Sequence, residues 1–99
     1  MFEVKMQQVD QALLMCLRDK APEMALRCLL NGADANAVGA DGESALHLAA
    51  RMDNLRLIGE LLARGADRQA LNREGETPFS VAKGGAGRLA KMRLRATAQ

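Results

Sequence analysis

The chain is nearly without aromatic residues. Only Phe2 and Phe79 are aromatic, and Trp and Tyr are absent. That excludes a base-stacking platform, an aromatic-rich recognition surface and the aromatic strands of an all-β sandwich. Histidine occurs once, as His47, and cysteine twice, as Cys16 and Cys28. Three such ligands in this placement do not make a zinc site, so no metal and no cofactor is expected. Serine is confined to Ser44 and Ser80, and no Gly-x-Ser-x-Gly elbow exists. Gly84-Gly85-Ala86-Gly87-Arg88 lacks the Gly-Lys-Ser/Thr ending of a phosphate loop, so it reads as a flexible linker. No catalytic constellation stands out, and the chain is expected not to be an enzyme.

Long apolar runs are missing too. No stretch approaches the ~18 residues of a membrane span, and Glu3, Lys5, Asp10, Arg18, Asp19 and Lys20 interrupt any secretory h-region. A cytoplasmic location is expected. Both cysteines fall at apolar positions of helical patterns, which suits buried thiols in a reducing compartment. A disulfide needs Cα atoms within ~7 Å, whereas facing helix axes lie ~8–10 Å apart, so a bond is not the default. Charge of one sign is also lacking: 14 Lys and Arg stand against 12 Asp and Glu, a net of +2. Apolar residues make up 48%, enough for a folded chain, and 99 residues suit one small domain.

What the chain does have is an internal repeat. Gly32-Ala33-Asp34 returns as Gly65-Ala66-Asp67, and Asp41-Gly42-Glu43-Ser44 as Glu74-Gly75-Glu76-Thr77, both at an offset of 33. Leu46 maps to Phe79 forwards and to Leu13 backwards. Each unit reads as two short helices and a turn. The spacing of Leu46, Ala49 and Ala50 predicts a helix over about 44–52, capped by Ser44. A second helix over about 55–64 buries Leu57, Ile58, Leu61 and Leu62, and Gly65 supplies a left-handed stop. Residues 66–75 have no helical period and predict an extended finger. Earlier, one helix is expected over about 3–18, and another from Pro22 that buries Met24, Ala25, Cys28 and Leu29. A weak last helix is expected from about Arg88. Most of the methionines, among them Met6, Met15, Met24 and Met92, fall on apolar stripes and are expected in the core. Met52 is the exception, at the open end of its helix.

These residues resemble the ankyrin repeat. Gly42-Glu43-Ser44-Ala45-Leu46-His47-Leu48-Ala49-Ala50 is similar to that family's Gly-x-Thr-Pro-Leu-His-x-Ala-Ala start. Leu61-Leu62-Ala63-Arg64-Gly65-Ala66-Asp67 is similar to its ending, and Gly75-Glu76-Thr77-Pro78-Phe79 repeats the start. Ala45 stands where the family has Pro, Asp53 where it has Gly, and Arg68-Gln69 where a small residue and Asn are usual. The resemblance implies an all-α solenoid of about three helix-turn-helix units with short β-hairpin-like fingers. Residues 1–40 would form an N-terminal cap, 41–73 a full repeat, and 74–99 a C-terminal cap with a basic tail. His47 is then the structural histidine of the repeat start, bonded to Ser44 and nearby backbone.

The resemblance also implies a protein-binding module that meets its partner through a concave surface, as an inhibitor, immunity-type protein or adaptor does. In the matching units that surface is Val38, Ala40, Asp41, Glu43, Arg51 and Met52, then Leu71, Arg73, Glu74 and Glu76. Val38, Met52 and Leu71 lack a core role and serve as anchors. Arg51 and Arg73 are expected to meet partner carboxylates, and Asp41, Glu43 and Glu76 partner bases. The alternative is a polyanion or nucleic-acid contact through the tail. There Lys83, Arg88, Lys91, Arg93 and Arg95 occur with no acid after residue 82, while residues 1–82 hold 9 basic and 12 acidic residues.

Overall fold

A hydroxyl starts each of the two later inner helices. Ser44 Oγ accepts the His47 amide at 3.1 Å, and Thr77 Oγ1 accepts the Ser80 amide at 3.3 Å, so orphan donors at both starts are satisfied. The computed structural model describes residues 2–52 and 54–82. Within them run α1 (Phe2–Arg18), α2 (Pro22–Leu30), α3 (Ala45–Arg51), α4 (Leu55–Ala63) and α5 (Pro78–Val81). The α3 helix is one residue shorter at each end than the spacing predicted, because Ser44 and Met52 act as its caps. Asn54 caps α4 through the Leu57 amide at 3.1 Å. Gly65 follows α4 with φ of +93°, the left-handed stop that its sequence position called for.

The helices pair and then stack. α1 packs on α2, α3 on α4, and α3 lies between α1 and α5 as the middle of an inner row, while α2 meets α4 in an outer row. This is the all-α stack that the repeat period predicts. Leu13, Leu17, Leu29, Leu46, Leu57, Ile58 and Leu61 fill the space between the rows, each almost fully buried. At ~25 cal/mol per Å² of apolar surface, this burial is the main term holding the units together.

The fingers between the helix pairs follow a period of two. Ala33, Ala35 and Ala37 are buried, whereas Asp34, Asn36 and Val38, each the next residue along, are exposed. Val38 pairs with Ser44 in an isolated antiparallel bridge, so the first finger is hairpin-like. The second finger closes when the Asn72 amide donates to Glu76 O at 3.0 Å. Asn36 ties one loop to the next: its Nδ2 donates to Gly65 O at 3.0 Å, and its Oδ1 accepts the Asp67 amide at 2.8 Å. One unit earlier Asp10 ties α1 to the first finger, accepting the Asp34 amide at 2.8 Å.

The burial expected of five residues is corrected. Met24 is 52% exposed, because α2 belongs to the outer row and Ala25 and Leu29 take its inward face. Met15 is 62% exposed on α1, not a core residue. Leu62, Cys16 and Cys28 are half-buried. The two cysteines are free thiols, and burial together with the neighbouring Cys16 thiol pushes Cys28 up. Asp53, the side chain of Met6, the glycine-rich linker, the last helix with Met92 and the basic tail (Lys83, Arg88, Lys91, Arg93 and Arg95) lie outside the described residues.

Lys20 occupies the turn between α1 and α2 with φ of +57°, in the register of Asp53 one unit later. A side chain there is strained, since Cβ crowds the carbonyl in left-handed backbone. Lys20→Gly is therefore expected to raise stability by about 0.5–1 kcal/mol in a chemical-denaturation curve. An unchanged or lower midpoint would show that the turn relaxes around Lys20 without cost.

Candidate interaction surface

The inner row and the fingers form one wall of shallow depressions. The first, about 470 Å³, lies between α1 and the first finger and is lined by Gln11, Leu14, Met15, Arg18 and Val38 through Asp41. The second, about 390 Å³, is lined by Arg18, Asp41, Glu43, Leu48, Arg51 and Glu74. The third, about 430 Å³, is lined by Leu17, Arg18, Lys20, Leu48, Arg51 and Met52.

Ion pairs and hydrogen bonds brace this wall. Arg18 Nη2 donates to Asp41 Oδ1 at 2.7 Å, strapping α1 to the first finger. The Glu43 amide donates to the same oxygen at 3.1 Å. Arg18 first and that amide second hold the Asp41 carboxyl down at about 2. A carboxyl whose folded value is depressed stabilises the fold above the ordinary carboxylate range. That contribution fades as pH falls from there toward about 2. An NMR titration of the Asp41 carboxyl should find its midpoint near 2, and Arg18→Ala should return it toward the ordinary range. A midpoint that stays low in the variant would show that Arg18 is not the cause.

The second brace centres on Glu43. Arg51 grips its carboxylate with both arms, Nε at 2.7 Å and Nη2 at 2.9 Å. Asn72 Nδ2 adds a bond to Glu43 at 2.8 Å and another to Glu76 at 3.0 Å. Asn72 Oδ1 accepts the Glu74 and Glu76 amides at 3.0 and 2.9 Å, so this buried amide is satisfied on both sides. The Arg51 fork is the largest cause holding the Glu43 carboxyl below its usual range, against the opposing pull of burial.

His47 joins the middle unit to the next finger. Its Nδ1 accepts the Ser44 amide at 3.2 Å and lies 2.7 Å from Ser44 Oγ. Its Nε2 lies 2.7 Å from Glu76 O. A carbonyl only accepts, so Nε2 carries the proton and Nδ1 is bare. With both ring nitrogens committed and the ring fully buried, His47 is placed as a structural histidine.

The expected surface residues fall into two groups. Val38 and Leu71 stand out from the fingers at 57% and 64% exposure, where the period of two turns them from the core. Val38 lines the first depression, while Leu71 lines none of the three. Ala40 is exposed on the first depression, and Arg73 Nη2 donates to Ala40 O at 2.6 Å, tying the finger tips together. The expectation that Met52 lacks a core role is corrected: it is half-buried, packs against the core and also lines the third depression. Glu74 is exposed and lines the second depression; Glu76 is half-buried. The expectation that Glu43 meets bases of a partner is corrected: it is 8% exposed, and its carboxylate is engaged by Arg51 and Asn72. Arg51 turns to Glu43 for the same reason, so this pair is part of the wall.

Gln11, Leu14, Met15, Arg18, Lys20 and Leu48 also line the wall and were missed. The repeat register contained the signal for one of them: Arg18 stands 33 residues before Arg51.

Among the described residues no group of His, Cys, Asp and Glu is arranged to hold a metal, and no helix is long and apolar enough to cross a membrane. A family model described as ankyrin repeats (3 copies) matches residues 13–92. The ankyrin repeat and LEM domain-containing protein 1 homolog of Caenorhabditis elegans is 43% identical over 61 residues. That stretch is 61% of this chain and 9% of the relative, so the chain spans only a small part of that protein's length. The 33-residue register, the paired helices in two rows, the hairpin-like fingers and the family match over most of the sequence agree, and the chain belongs to the ankyrin repeat family.

Proposed function

We propose that this chain docks a partner protein on the wall formed by α1, α3 and the two fingers, and acts by covering or sequestering that partner, as an inhibitor, immunity-type protein or adaptor does. Ankyrin repeats are in general protein–protein interaction modules without catalysis of their own. One observation carries the choice of surface. Met15 and Val38, each more than half exposed, line a single depression beside Gln11 and the Arg18–Asp41 pair. An exposed apolar pair inside a polar rim has the make-up of an interface centre. The free thiols of Cys16 and Cys28 suit a reducing compartment such as the cytoplasm. A wall of this size offers at most ~800 Å² per side, enough for one specific partner.

The test begins with the tagged full chain, from which a bound partner is isolated and identified. The paired substitution Met15→Glu with Val38→Asp should then abolish binding of the purified partner while the helical circular dichroism is unchanged. Full binding by a folded double variant would overturn the choice of surface.

A further inference from the structure

The third depression differs from the other two in charge. Its lining holds three apolar residues, Leu17, Leu48 and Met52, and three cations, Arg18, Lys20 and Arg51, with no acid among the described lining residues. Leu17 and Leu48 are buried and form the floor; Lys20 is exposed and makes no ion pair among the described residues. Arg18 uses one nitrogen on Asp41, and Arg51 uses two on Glu43, so each guanidinium keeps further donors. The acids that neutralise them lie on the finger side, where Asp41, Glu43 and Glu74 line the second depression. Asp19 precedes Lys20 in the turn but does not line the depression. Among the described residues the wall is therefore polarised: acids line the second depression, and cations without an acid line the third.

We infer that the docked partner presents an acidic segment here, with an aliphatic or aromatic side chain over Leu17, Leu48 and Met52 and flanking carboxylates on Lys20, Arg18 and Arg51. This rests on the reading of the wall as a docking surface and names the chemistry of its occupant. Charge complementarity selects the sign, and the apolar floor selects a peptide. A bare polyanion would bring charge to the cations but leave the apolar part of the depression, chiefly Met52, uncovered. The chain's own closing residues carry Lys83, Arg88, Lys91, Arg93 and Arg95 and have the wrong sign for this seat.

A display library of random peptides selected on the full chain tests the inference. The enriched peptides should be net acidic around an apolar residue. Among the described lining residues Lys20 is the cation not tied to a finger, and Lys20→Glu should weaken their binding about tenfold with the fold intact by circular dichroism. Enrichment of neutral or basic peptides, no enrichment, or acidic peptides indifferent to Lys20→Glu would each overturn the inference. Peptides of the wrong charge that are lost in the Met15→Glu, Val38→Asp double variant would overturn it while keeping the wall as the docking surface. Peptides indifferent to both variants would overturn both readings.

Discussion

Alanine at position 47 is expected to cost about 3–5 kcal/mol of folding stability, read as a lowered midpoint in urea or thermal unfolding. The ring of His47 is fully buried, so its loss opens a cavity between α3 and the second finger. The Glu76 carbonyl loses its donor, and the Ser44 amide loses its acceptor. Each buried orphan costs about 1–3 kcal/mol unless water replaces the ring. Small domains have only about 5–15 kcal/mol in total, so this one change removes a large share. A loss below about 1 kcal/mol would mean that solvent satisfies both groups and that the ring is not the bolt between units. The third unit offers a contrast. Ser80 stands in the His47 register, and its hydroxyl bonds to Thr77 within its own turn, so among the described residues it makes the helix start without the crossing.

The paired substitution Met15→Glu with Val38→Asp is expected to weaken partner binding at least about 100-fold, measured by calorimetry on the isolated partner. Interface anchors at the centre of a contact carry about 2 kcal/mol or more each, and a carboxylate placed there must also be stripped of water. Both side chains are more than half exposed in the free protein, so folding stability should move by no more than about 0.5 kcal/mol. Arg51→Glu is a poorer probe of the same surface. It would set a carboxylate against Glu43 and pull down the brace that includes Asn72 and Glu76. Lost binding in that variant could come from a collapsed finger as easily as from a lost contact.

The repeat itself was legible because its signals are local and redundant. Ser44 and Thr77 as caps, Gly65 as a stop, and the i, i+3, i+4 spacing of apolar residues each mark an element boundary without reference to the rest of the chain. Side-chain destinations across units were less legible. Glu43 looked like a surface acid, since nothing in its neighbourhood shows that Asn72, 29 residues later, folds back to bury it. Met15 and Met24 lie at apolar positions of helical patterns, but burial depends on which helix row a side faces, and only the stack decides that. The positive φ at Lys20 is not legible in the sequence, because left-handed backbone is marked locally by glycine and Lys20 carries a side chain.

The two finger tips are tied to each other by Arg73 and to the helices behind them by Arg18 and Arg51. A visitor therefore meets a template already set, and little ordering entropy is left to lose on contact. Association should behave as rigid docking: single-phase kinetics, little backbone rearrangement between free and occupied forms, and a heat-capacity change that tracks buried area alone. Evolving a new specificity then means changing the side chains that decorate the frame, while the struts stay as they are.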